Sequence, residues 1–84
     1  GEIDLVVSDH EAISFIEVKT RTGKKYGTPA EAVTYAKQMT IRRVAMCFLK
    51  EKGLINNPVR FDVIEVMLTK EGKVLSINHL KNAF

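Results

Sequence analysis

Apolar and polar residues alternate through the first 19 positions of the chain, and that period of two predicts a pair of strands. The runs are "EIDLVVS" (2–8) and "AISFIEVK" (12–19), with "DHE" as the turn between them. A polar stretch, "TRTGKKYGTP" (20–29), follows, and Gly23, Gly27 and Pro29 mark it as loop. "AEAV" reads as a short helical turn. The period then changes. From Thr34, a good N-cap residue, "YAKQMTIRRVAMCFLKEK" predicts a helix that stops at Gly53. Beyond "NNP", the runs "VRFDVIEVMLT" (59–69) and "KVLSINHL" (73–80) predict two further strands joined by "KEG". The order ββαββ, without repeats or low-complexity tracts, predicts a single α/β domain over residues 1–84 with a mixed central sheet.

Helix phase and strand register say which side chains meet. At about 100° per residue, Ile41, Ala45, Phe48 and Leu49 form one stripe, expected to face the sheet. Gln38 falls on the same stripe, one turn earlier. An inward amide at a helix start either hydrogen-bonds a nearby loop or strand end or reaches into a site. Arg43 and Lys50 fall on the solvated side. In the first hairpin, a two-residue loop of His10 and Glu11 sets Asp9 opposite Ala12. The pairs Ser8–Ile13, Val6–Phe15, Asp4–Glu17 and Glu2–Lys19 follow. One face then carries Val6, Ile13 and Phe15 near the turn, and Glu2, Asp4, Glu17 and Lys19 at the open end. The other face holds Ile3, Leu5, Val7, Ile16 and Val18, with Ser14, and is expected to pack on a helix.

The open end of that hairpin is where chemistry is expected. Two carboxylates side by side repel when both are ionised, and a divalent cation between them removes the conflict. Mg²⁺ favours such a set: one or two carboxylates, several waters and substrate phosphate oxygens. Lys19, beside a phosphate held there, could orient an attacking water or stabilise charge developing on phosphoryl oxygens. A plain structural ion pair between Glu17 and Lys19 accounts for the same residues, and the spacing alone leaves both readings open.

Composition narrows the classes. The net charge of +3 permits a phosphate-rich partner without demanding one. No apolar run approaches the roughly 18 residues of a membrane span, and no run has the pattern of a secretory signal. The lone Cys47 rules out an internal disulfide, and with only His10 and His79 beside it there is no structural zinc set. A cytoplasmic setting fits. Arg21, Lys24 and Lys25, directly after the carboxylate-bearing strand, could hold backbone phosphates without reading sequence; a solvated loop is the other reading. The Gly-Lys step there lacks the spaced glycines and the Ser or Thr of a P-loop. Asp62 is expected to pair with Arg60, Cys47 to fill space on the helix, and His10 and His79 to be exposed.

A carboxylate in one strand followed by Glu-x-Lys in the next resembles the metal site of the PD-(D/E)xK, restriction-endonuclease-like superfamily. More closely, "GEIDLVV" (1–7), "FIEVKTR" (15–21), "YGTPAEAVT" (26–34), "KQ" (37–38), "RFDVIEV" (60–66) and "NAF" (82–84) resemble the YraN-type family of small bacterial proteins, likened to Holliday-junction resolvases. The resemblance spans the chain in order. It implies a restriction-endonuclease-like fold and a divalent-metal-dependent endonuclease acting on DNA, branched DNA included. The implied ligands of Mg²⁺ or Mn²⁺ are Asp4, Glu17 and the carbonyl of Val18. Lys19 is the implied catalytic lysine, Gln38 a supporting polar residue, and Glu2 an accessory acid. Members of that family carry a helical segment ahead of the "GEIDL" run, so the resemblance also implies an N-terminally incomplete domain. Resolvases of this fold act as dimers, which makes a homodimer an implied partner state. A non-catalytic module of the same fold that binds nucleic acid or protein is the alternative.

Overall fold

The computed structural model describes residues 3–22 and 33–84. Four strands and one helix follow in the predicted order: β1 (Leu5–Ser8), β2 (Ile13–Thr22), α1 (Tyr35–Lys52), β3 (Val59–Leu68) and β4 (Val74–Leu80). The sheet order is β1-β2-β3-β4. β1 and β2 form an antiparallel hairpin, β2 and β3 run parallel with α1 as the crossover, and β3 and β4 are antiparallel. The sheet is therefore mixed. Lys24 and Lys25, the rest of the basic loop and "AEA" of the anticipated helical turn lie outside the described residues, as does Glu2.

Local chemistry explains the boundaries. At the first turn the amide of Asp9 donates to the carbonyl of Ala12 at 3.1 Å, and Asp9 Oδ1 accepts from the amides of Glu11 and Ala12. That turn sets the anticipated register, with Val6 opposite Phe15 and Ser8 opposite Ile13. Thr34 Oγ1 caps α1 by accepting from the amide of Lys37 at 3.2 Å. Gly53 closes the helix in the left-handed conformation (φ 71°), its amide directed at the carbonyls of Leu49 and Lys50. A side chain there would be strained, which is why glycine ends the helix. β2 runs to Thr22, so Thr20, Arg21 and Thr22 belong to the strand rather than to the loop.

The packing corrects one expectation. The helix covers the face of β2 that carries Ile13 and Phe15, not the face of Leu5, Val7, Ile16 and Val18. Ile13, Phe15, Ala45 and Leu49 form one buried cluster, and Val33, Ile41 and Val63 a second; Ile3 touches both. Leu5 and Val7 stay about half exposed, at 46% and 45%, as does Val6, while Ser14 and Ile16 of β2 are buried without joining either cluster. The reason is aromatic volume. Phe15 stacks on Phe61 at 5.7 Å and meets Phe48 edge-on at 5.9 Å, filling the space under the helix. Ile41, Ala45 and Leu49 are buried as the helical stripe requires, and Phe48 is half-buried. Cys47 is exposed on the helix and fills nothing. At the far side of the sheet β4 is an outer strand, with Val74, Leu75 and Ile77 each more than half exposed.

Asp62 is the polar anchor of β3. Its side chain is fully buried, and both oxygens lie 3.0 Å from Arg60 Nε. His79 Nε2 of β4 stands 2.7 Å from Oδ2, and the amide of Asn82 donates to Oδ1 at 3.0 Å. The expected Arg60 pairing is present. His79 is tied to Asp62 although more than a third of its side chain is exposed. Burial on its own would push the Asp62 carboxyl up, but the bonds from Asn82, His79 and Arg60 outweigh it and hold the group below its ordinary range.

Two outcomes follow for stability. Phe15→Ala should cost about 3–5 kcal/mol in chemical denaturation, because the ring fills the centre of the core. Asp62→Asn should cost about 3–5 kcal/mol at neutral pH by leaving Arg60 buried without its counter-charge. Because the folded-state value of Asp62 lies below the unfolded one, its contribution is present above the ordinary carboxylate range and is lost as pH falls through the folded value. Acid titration of stability should therefore be steeper in wild type than in Asp62→Asn.

Candidate functional site

Period-two alternation carries Glu17 to the helix-covered face, because Phe15 two residues earlier is turned inward. Its side chain is only 7% exposed. Directly beside it in the sheet is the apolar Val63 of β3. Asp4 lies just before β1, one residue beyond the paired ladder that ends at Leu5 and Ile16. Its Oδ2 accepts from the amide of Val18 at 2.8 Å. In an extended strand the N–H and C=O of one residue point to the same flank. The carbonyl of Val18 therefore faces the side on which Asp4 stands, beyond the end of β1.

The two carboxyl groups act on each other, and this splits their acidities. The bond with Glu17 holds Asp4 below the ordinary value, helped by the amide of Val18 and by the charges of Lys37 and Lys19. Burial pushes Glu17 up, and the hydrogen bond and negative charge of Asp4 push it further; Lys19 and Lys37 offset only part of this. Glu17 Oε2 is buried and has no hydrogen-bond donor of its own. Lys37 Nζ, from the first turn of α1, stands 3.9 Å from it.

The anticipated residues fall into three groups. Asp4, Glu17 and Val18 are brought together, and the charge of Lys19, half-buried on β2, acts on both carboxylates. Gln38 is half-buried at the helix start, and its Nε2 donates to the carbonyl of Val33 at 2.9 Å, the loop-end bond expected of an inward amide. Arg21 is drawn to β3, where its Nε stands 3.4 Å from Glu65 with both side chains mostly buried. Lys37 is the site residue that sequence reasoning missed. Its neighbour Gln38 carried the inward phase, while Lys37 lies about 100° around the helix and reaches back by the length of its stem.

Among the described residues there is no cluster of three or more His, Cys, Asp or Glu side chains able to hold a metal ion. The donor set is two carboxylates and one backbone carbonyl. All are oxygen, and they suit a hard cation that keeps part of its water, as Mg²⁺ and Mn²⁺ do. The orphaned oxygen of Glu17 fits such an ion, and an oxygen-only set does not fit a zinc cage.

Comparison with known proteins places the chain. The profile described as uncharacterised protein family UPF0102 matches residues 1–66. The chain belongs to this family. UPF0102 is the YraN-type family that the motifs resemble. A UPF0102 protein of Pelotomaculum thermopropionicum is 46% identical over 84 residues, which is the whole of this chain and 70% of that protein. One from Alkaliphilus oremlandii is 49% identical over 86 aligned residues, covering this chain entirely and 72% of its own length. One from Symbiobacterium thermophilum is 48% identical, with 100% and 70% covered. Among the described residues no helix is long and apolar enough to cross a membrane.

The raised value of Glu17 has a measurable consequence. A carboxyl whose folded-state value is raised stabilises the fold at low pH, and this contribution is lost as pH rises through the folded value. Glu17→Gln removes the charge and that loss with it. The variant should match wild type near pH 4 and exceed it at pH 7.5 by about 0.5–1 kcal/mol in thermal unfolding, a gain of the kind found when strained site residues are neutralised.

Proposed function

We propose that this UPF0102 chain is a divalent-metal-dependent nuclease domain of restriction-endonuclease-like fold that hydrolyses phosphodiester bonds of DNA. The observation that carries the reading is the buried Glu17, one of its oxygens unpaired, beside Val18 whose amide holds Asp4, on a strand whose next inward residue is Lys19. Asp4, Glu17 and the Val18 carbonyl would hold Mg²⁺ or Mn²⁺. Such an ion, when bound, polarises the phosphodiester and lowers the pKa of a water beside it. Val18 holds Asp4 in place through its amide. Lys19 orients the attacking water and balances charge that develops on the phosphoryl oxygens. Gln38 supports the entry to the helix that roofs the site, by tying Val33 to the first turn. Lys24 and Lys25 would hold backbone phosphates in a way that does not read base sequence, while Arg21 is engaged with Glu65.

A second reading rests on a different feature. Leu5 and Val7 on one edge of the sheet, and Val74, Leu75 and Ile77 on the other, expose more apolar surface than isolated side chains do. A binding module of the same fold, holding a protein or nucleic acid without cutting it, would use such surface and leave the carboxylate pair as a relic.

One variant separates the two. With Mg²⁺ or Mn²⁺, wild type should cleave DNA, and Glu17→Gln should fall to background while duplex binding survives. Calorimetry should show Mn²⁺ bound by wild type and not by the variant. Equal cleavage by both proteins would sink the nuclease mechanism.

A further inference from the structure

The carboxylate pair comes with a cation of its own. Lys37 Nζ stands 3.9 Å from the buried, donor-less Oε2 of Glu17, and its charge acts on Asp4 as well. Its backbone is fixed by the helix cap, since the Lys37 amide is the one that Thr34 Oγ1 accepts. The start of α1 thus sets where the ammonium can reach. The side chain is about one-third exposed, so its end lies at the boundary between the buried carboxylate and solvent. Lys19 is held differently, on a strand and directly beside Glu65 of β3. The two lysines approach the carboxylates from different elements, and only Lys37 sits on a long stem at a helix terminus.

We propose that Lys37 is the resident counter-ion of the carboxylate pair, displaced when a divalent cation binds and then available to a phosphate oxygen of the substrate. The inference rests on the metal-site reading above and adds a positioning residue to it. A cation close to Glu17 neutralises the pair when no metal is there and repels a metal that arrives. Once the metal has taken over the carboxylates, the same ammonium faces a site whose remaining ligand is a phosphodiester, an anion suited to it. Metal affinity is lowered by this residue and phosphate affinity is raised, so the two ligands bind best together.

The test compares wild type with Lys37→Met and Lys37→Arg, titrating Mn²⁺ alone by calorimetry at pH 7.5. Methionine keeps the stem without the charge, and circular dichroism checks that the helix is intact. Lys37→Met should bind Mn²⁺ about three- to fivefold more tightly, the range expected for losing one partly exposed ion pair, while Lys37→Arg stays near wild type. In Ca²⁺, duplex DNA should bind Lys37→Met more weakly than wild type. Mn²⁺ affinity that is unchanged or lowered in Lys37→Met, with wild type binding normally, overturns the role of Lys37 and leaves the metal site standing. Unchanged duplex affinity overturns the transfer to phosphate. No Mn²⁺ bound by wild type at millimolar concentration overturns the metal site and this inference together.

Discussion

Burial of Phe15 is the constraint on which the remaining structure depends. Its ring is held between Phe48 of the helix and Phe61 of the neighbouring parallel strand, and that sandwich decides which side of β2 looks inward. A strand offers no intermediate choice. Once Phe15 points under the helix, Glu17 must follow it two residues on. The core therefore does more than stabilise the fold: it drags a carboxylate into a place where ionisation is unfavourable. A well-packed apolar layer at one end of the strand and a strained polar pair at the other are two ends of one alternation.

That strain has a cost and a use. The Asp62 cluster shows what the chain does with a buried carboxylate that has only to hold the fold together: it surrounds the group with Arg60, His79 and the Asn82 amide until charge is favoured. Glu17 is treated in the opposite way. It receives an acidic neighbour, a lysine at the limit of ion-pair distance and an oxygen without a donor. Two buried acids in one small sheet, one fully satisfied and the other left wanting, are what a division between structural and chemical duty would produce.

Much of this was legible in the chain. Asp9 gave the turn, and the register from Ser8–Ile13 to Val6–Phe15 followed from it; Thr34 and Gly53 marked the helix ends because caps have specific chemistry. The choice of helix-bearing face was not legible. β2 is apolar on both sides, with Ile13 and Phe15 on one and Ile16 and Val18 on the other, so alternation defines two faces without ranking them. Aromatic packing ranks them, and it needs Phe48 and Phe61, which lie more than thirty residues away. His79 was hidden for a similar reason: its partner is 17 residues back, across a β3–β4 pairing that shifts register between Met67 and Leu68. Lys37 escaped because helix phase describes where a Cα points, not how far a four-carbon stem can bend.

The outer strand β4 bears on how these molecules behave toward one another. Its apolar residues are bounded by Lys73 and Lys81. If two copies met edge to edge in antiparallel fashion about Ile77, Lys73 of each would lie opposite Lys81 of the other. The hydrophobic strand thus carries a like-charge lock against its own duplication, a device common on natural sheet edges. Such a lock works only while charges are felt across the edge. Concentrated salt shortens that range to a few ångströms, so colloidal stability of the protein should decline with ionic strength rather than improve.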